Sequence, residues 1–230
     1  MPSRNKPMST IANNLSDVLS TLPEGVELVA VSKYHPVEEL QEAYDAGQRV
    51  FGESIVQELR LKQAQMPDDV QWHFIGHLQT NKVKYIVPYV SLVHAVDSYK
   101  LLCEINRQAL RCNRVIDCLL QLHVALEKTK FGFTVEECRS MLAAGEWRKL
   151  SGVRLCGVMC MASNTDDEER VRQDFRSANT FFHEIKLDYF ADNSSFCIRS
   201  YGMSHDYLIA VAEGSNLVRI GTTIFGSRRY

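Results

Sequence analysis

The chain has 230 residues, of which 45% are hydrophobic and 23% charged, with a net charge of −2. That is the profile of a soluble globular protein, and it leaves no basic stripe of the kind a nucleic-acid-binding surface requires. No apolar run approaches the roughly 18 residues that mark a membrane-spanning helix, and the polar, basic residues 1–8 lead into no apolar core of a secretory leader. The seven cysteines are odd in number and widely spaced, and no two form a Cys-x-x-Cys pair. They read as the reduced thiols of a cytoplasmic protein rather than as a disulfide frame or a zinc site.

Residues 9–22 carry Ile11, Leu15, Val18, Leu19 and Leu22 at helical spacing, with Ser9 or Thr10 as N-cap, and Pro23 and Gly25 close the segment. The apolar run 27–32 then predicts a buried strand that ends at Lys33. Proline at its first position starts a helix over 36–46, and Gly47 stops it. The same alternation continues: strand 49–53, helix 56–66, strand 70–75, helix 81–87, strand 90–96, helix 98–109, strand 117–124, helix 134–144, strand 153–160, helix 166–185, strand 196–200, helix 206–212 and strand 217–220. Eight strands alternating with helices imply parallel strands joined by right-handed crossovers. Eight units in about 230 residues fit a closed (β/α)8 barrel as one domain over 1–230, with an extra N-terminal helix covering its bottom. No Gly-x-Gly-x-x-Gly follows the first strand, so no dinucleotide site is expected.

In such a barrel the functional face is built from the C-terminal strand ends. Lys33 stands there, where poor solvation disfavours the ammonium and a free amine can attack a carbonyl; a lysine snorkelling into water is the plainer alternative. Ser204, a helix starting at Asp206, Gly221 and Thr222 follow strands seven and eight, where backbone N–H groups and hydroxyls collect phosphate. Arg219, two residues before Gly221, points to the same inward face, either toward a ring nitrogen or to a core partner such as Glu53 or Asp97. An amine and a phosphate cup on neighbouring strands suit pyridoxal 5′-phosphate. His73 and His77 are not placed to share a metal, and none is expected. His94, His123 and His183 carry no signal.

Several segments together resemble the pyridoxal phosphate homeostasis proteins, whose barrel is similar to the N-terminal domain of alanine racemase. They are Ala30-Val31-Ser32-Lys33, Phe51-Gly52-Glu53, Val56-Gln57-Glu58, the run from Trp72 to Lys82, Gly202-Met203-Ser204 and the run from Val218 to Gly226. The resemblance implies that Lys33 carries the cofactor as a Schiff base. It further implies that Ser204, Gly221 and Thr222 hold the phosphate, that Arg219 faces the pyridine nitrogen, and that Ser54, His77 and Met203 also belong to the cofactor-binding set. Glu127, Lys130 and Gly132 keep the family's Glu-x-x-Lys-x-Gly loop, whereas Ser54, His123, Ala162 and Arg199-Ser200-Tyr201 depart from its usual pattern. The implied role is a carrier of pyridoxal phosphate that serves vitamin B6 homeostasis and passes the cofactor to apo-enzymes. An arginine at the ring nitrogen and no racemase-like second domain after Tyr230 imply no robust turnover and tilt toward a monomer. A racemase-like enzyme is the alternative.

Overall fold

The computed structural model describes residues 9–127 and 131–227; residues 1–8, Lys130 and Tyr230, which entered the expectations above, lie outside them. The strands are β1 (Glu27–Val31), β2 (Val50–Glu53), β3 (Gln71–Phe74), β4 (Val90–Val96), β5 (Ile116–Leu122), β6 (Val153–Cys160), β7 (Ile198–Met203) and β8 (Leu217–Ile220). They pair in sequence order, all parallel, and β8 returns to β1 with Val29 opposite Arg219 and Ala30 opposite Ile220. The barrel is therefore closed, as the alternation of elements predicts. The helices are α1 (Thr10–Thr21), α2 (Val37–Asp45), α3 (Val56–Gln63), α4 (Tyr99–Arg111), α5 (Val135–Ala144), α6 (Glu168–Tyr189), α7 (Tyr207–Ala212) and the single turn α8 (Thr222–Phe225). None is long and apolar enough to cross a membrane.

Side chains alternate across each strand, and this divides the apolar residues into two layers. Val29, Val50, Leu92, Leu119 and Leu217 fill the barrel interior. Phe51, Phe74, Leu120, Val158 and Tyr201 face the helices and join the larger core between barrel and shell. Local signals set the helix ends. Thr134 and Glu137 form a capping box on α5, and Gly145 ends it at φ 74°.

Three local expectations change. First, α1 does not cover the barrel bottom. It stands in the helical shell against α2 and α8, with Asn14 donating to the Ile224 carbonyl at 3.0 Å and Thr21 meeting the Tyr207 hydroxyl at 2.9 Å. Its apolar stripe, Ile11, Leu15 and Val18, is buried in the core between barrel and shell. Second, Thr80–Tyr85 is a 3-10 helix, with Lys82 N–H bonded to Gln79 and Ile86 N–H to Val83. Pro88 disfavours helical backbone at Val87 and cuts the segment short of a regular α-helix. Third, β7 starts at Ile198 and runs to Met203, so Gly202 and Met203 belong to a strand end rather than to a loop. Phe196 is not in the strand. It stacks at 4.0 Å on Phe190 and 5.3 Å from Phe182 and anchors the approach to the barrel.

Tyr201 is fully buried on the helix side of β7, and its hydroxyl has no hydrogen-bond partner. A buried hydroxyl without a partner costs about 1–3 kcal/mol in lost hydration. Tyr201→Phe keeps the stack on Phe175 and removes that cost, so denaturant unfolding should show the variant as stable as the parent or up to about 1 kcal/mol more stable.

Candidate functional site

A cavity of about 240 Å³ opens at the C-terminal ends of the strands. Lys33, Ser54, His77, Met203, Ser204, Arg219, Gly221 and Thr222 all line it. The structure thus brings together every residue that the sequence singled out for binding. Gln121, Phe131 and Met161 also line it and were not anticipated. Gln121 occupies an inward position of β5, a strand readable only as an apolar run.

Lys33 lies just past β1 in a tight turn and is half-buried. The Ser32 N–H still pairs with the Gly52 carbonyl at 3.0 Å, and the His35 N–H closes the turn onto the Ser32 carbonyl at 3.1 Å. Tyr34, between them, has φ 67°.

The adjoining side of the cavity is formed where β8 ends, next to β1. The Gly221 N–H donates to Ser204 Oγ at 3.2 Å, and the Gly221 carbonyl accepts from Ile224 and Phe225, both at 2.9 Å. The N–H groups that open a helical turn have no acceptor within it, so those of Thr222 and Thr223 at the start of α8 are free of intrahelical bonds. Together with the Ser204 and Thr222 hydroxyls they form an anion-binding set. A β-carbon at Gly221 would come within 2.8 Å of the Val31 carbonyl, so only glycine lets β8 end this close to β1. The helix expected to serve a phosphate, α7, is not suited to it. Asp206 stands at its start, buried, and its Oδ1 accepts from the Met203 N–H at 2.6 Å. A carboxylate already occupies that electropositive end.

Arg219 is buried beneath the cavity and pairs with neither Glu53 nor Asp97. Its Nη1 donates to the Ser200 carbonyl and to Ser200 Oγ, both at 2.6 Å, and its Nη2 donates to the Cys160 carbonyl at 2.9 Å. Glu53 lies outside the barrel wall with Lys62, and Asp97 with His77. Behind Ser200 a polar chain continues into the barrel: Ser200 Oγ to His94 Nδ1 at 2.9 Å, then His94 Nε2 to His73 Nδ1 at 3.0 Å.

The direction that gives the Ser200 hydroxyl proton an acceptor runs from Arg219 toward His73. Arg219 can only donate, so the Ser200 hydroxyl accepts from it and donates its own proton to His94 Nδ1. His94 is then protonated at Nε2 and donates to His73 Nδ1, which leaves the His73 proton on Nε2. Burial holds both rings neutral: it pushes His73 down to about 3 and His94 well below the usual histidine value, to which His73 and Arg219 add. Burial also lowers Arg219, which remains a cation. Sequence reasoning missed His94 because nothing local marks an inward histidine. Its role depends on strand pairing, with His73 opposite Leu92 one layer away.

At the rim, His77 Nδ1 lies 2.9 Å from Asp97 Oδ2, and its ring stacks on Phe131 with centroids 3.8 Å apart. In the loop below, Glu127 Oε1 accepts from the Asn164 N–H at 2.9 Å, and His123 Nε2 lies 2.9 Å from the Glu127 carbonyl. Among the described residues no three His, Cys, Asp or Glu side chains gather to hold a metal.

The directional chain has an observable signature. Nitrogen-15 NMR of the protein should place His73 and His94 both in the Nε2–H form, with neither titrating between about pH 5 and 8, because burial keeps each neutral throughout that interval. An imidazolium signal from either ring near neutrality would contradict the assignment.

Residues 8–229 match the family model described as alanine racemase, N-terminal domain. The chain is 38% identical to the pyridoxal phosphate homeostasis protein of Aquifex aeolicus, over 89% of this chain and 88% of that protein. It is 34% identical to the protein of the same name from Vibrio alginolyticus, over 97% and 100%. Among solved structures, PipY of Synechococcus elongatus PCC7942 with PLP bound superposes with a TM-score of 0.85 at 35% identity, covering 94% of this chain and 100% of that one.

Proposed function

The chain belongs to the pyridoxal phosphate homeostasis protein family, and on that premise we propose that it binds pyridoxal 5′-phosphate in the barrel-end cavity and serves in intracellular vitamin B6 homeostasis. The observation that carries this reading is that three unrelated chemical demands of the ligand are met in one cavity. An aldehyde needs an amine, and Lys33 is there as the point of Schiff-base attachment. A phosphate needs hydroxyls and N–H groups, which Ser204, Gly221 and Thr222 bring together where β8 ends. A ring nitrogen accepts a hydrogen bond, and Arg219 is the buried donor. Ser54, His77 and Met203 line the same cavity and would flank the ring.

When bound, the cofactor supplies a reactive aldehyde and a conjugated ring that can take up electrons. The residues around it restrain that reactivity. Arg219 is held as a cation by Ser200 and Cys160 with neutral histidines behind it, so it offers the ring nitrogen a hydrogen bond and withholds a proton. A ring nitrogen left unprotonated is a poor electron sink. This supports a carrier with no robust turnover that protects the aldehyde; we infer further that it works in the cytoplasm as one domain over 1–230 and as a monomer, and delivers the cofactor to apo-enzymes. The alternative, a racemase-like enzyme, needs a second base beside Lys33. His77, bonded to Asp97 at the cavity rim, is the residue it would use.

Titration of the purified protein with pyridoxal phosphate should develop the visible band of a protein-bound Schiff base, and Lys33→Ala should abolish it. Ser204→Ala and Thr222→Ala should each weaken binding by about tenfold to a hundredfold, the cost of one hydrogen bond to a charged group. A Lys33→Ala protein that keeps the band would overturn the attachment site. Racemisation of amino acids at ordinary enzyme rates would favour the enzyme.

A further inference from the structure

The two neighbours of Lys33 are held from outside the barrel wall by a charged network that none of the binding roles above uses. Ser32, before it, donates its hydroxyl to Glu53 Oε1 at 2.7 Å and offers its carbonyl to Lys62 Nζ at 2.7 Å. Tyr34, after it, donates its N–H to Glu58 Oε2 at 3.0 Å. Lys62 joins the two halves: its ammonium also reaches Glu53 Oε1 at 2.7 Å and Glu58 Oε2 at 3.2 Å. Glu58 and Lys62 are four apart on α3, one turn above another, so a single helix presents both to the turn.

Two features of this network are unlike ordinary scaffolding. Buried charges are costly to desolvate, and apolar side chains of the same size usually stabilise a fold as well or better. Here the Glu53 and Lys62 side chains are 0% and 7% exposed, yet both are charged types. The Lys33 turn is also strained. Tyr34 adopts φ 67°, a left-handed conformation unfavourable for a residue with a β-carbon, which persists only where its surroundings impose it. The Glu58 carboxylate holds the Tyr34 N–H in this conformation, together with the His35 N–H bond to the Ser32 carbonyl that spans it. Lys62, for its part, has three N–H donors and three acceptors. Its amine is committed and buried behind the wall.

We propose that Glu58 and Lys62, anchored by Glu53, are positioning residues for Lys33: they impose the turn that aims Lys33 into the cavity, and they bind up the neighbouring lysine so that Lys33 alone of the two meets an aldehyde. This rests on the cofactor reading above. Burial pushes the Glu53 carboxyl up to about 7 against the pull of Lys62, so its hold on Lys62 weakens as pH falls through that value.

The test separates attachment from binding. Pyridoxal 5′-phosphate presents both aldehyde and phosphate, whereas pyridoxine 5′-phosphate carries an alcohol instead and reports on the phosphate and ring contacts. Glu58→Ala should weaken pyridoxal phosphate by about tenfold through misplacement of Lys33, while pyridoxine phosphate affinity stays within about twofold. Glu58→Gln, whose amide oxygen can still accept from Tyr34, should restore most of the difference. In the ligand-free protein, acylation of Lys33 by an amine-reactive reagent, followed by peptide mass spectrometry, should slow in Glu58→Ala and recover in Glu58→Gln. Glu58 leads because its side chain is 26% exposed and its removal leaves Lys62 the Ser32 carbonyl and Glu53 Oε1 as acceptors; Lys62→Met strands the Glu53 carboxyl and serves only as a second variant, and both are judged after a thermal melt. Equal loss of both ligands, or unchanged Lys33 acylation, would overturn the positioning role. Failure of the parent protein to bind either ligand would instead refute the cofactor reading, with the acylation assay still deciding the role of Glu58.

Discussion

The pairing of β8 with β1 is the constraint on which the rest depends. It sets Val29 beside Arg219 and Ala30 beside Ile220, and so makes neighbours of the first and last strands of the chain. Lys33 continues from one and Gly221 from the other. Closure is tight enough that the Val31 carbonyl occupies the space a side chain at 221 would fill. An open sheet with the same elements would leave the amine and the anion-binding turn at opposite edges. The cavity exists because the sheet has no edges.

Two polar networks secure the two functional ends, and they differ in kind. Inside the barrel, Arg219, Ser200, His94 and His73 form a chain with one charge and three neutral groups. A second charge there would have no counter-ion, and burial keeps both histidines uncharged. Outside the wall, Lys62 pairs with Glu58 and with Glu53 Oε1, and the network holds the backbone on both sides of Lys33, while Glu53 Oε2 has no partner among the described residues. The interior chain orients a donor at the cavity floor; the exterior network shapes the turn that carries the amine.

Much of this was legible in the sequence because parallel strands buried on both faces read as continuous apolar runs. The run ending at Lys33 and the run around Arg219 are of this type, and all eight strands appear in the expected order. The misreadings have specific causes. Phe196 resembled the start of β7 because aromatic residues suit strands, but its ring stacks on Phe182 of α6 and on Phe190 at the end of that helix. Segment 81–87 has helical spacing, yet Pro88 follows too closely for an α-helix. The periodicity of α1 identified a helix without saying what it covers, since an amphipathic stripe names no partner.

The sequence by itself determined the alternation of elements, the closed barrel that follows from it, and the residues at the strand ends that line the cavity, because spacing and side-chain type are local properties. Only the tertiary structure decided which polar groups meet. That His94 faces His73 and Ser200, that Asp206 claims the start of α7 and leaves the anion-binding set to α8, and that Glu58 grips Tyr34 all depend on strand register and helix placement. Those are set by packing across the whole barrel, where a shift of one residue would turn each inward side chain outward.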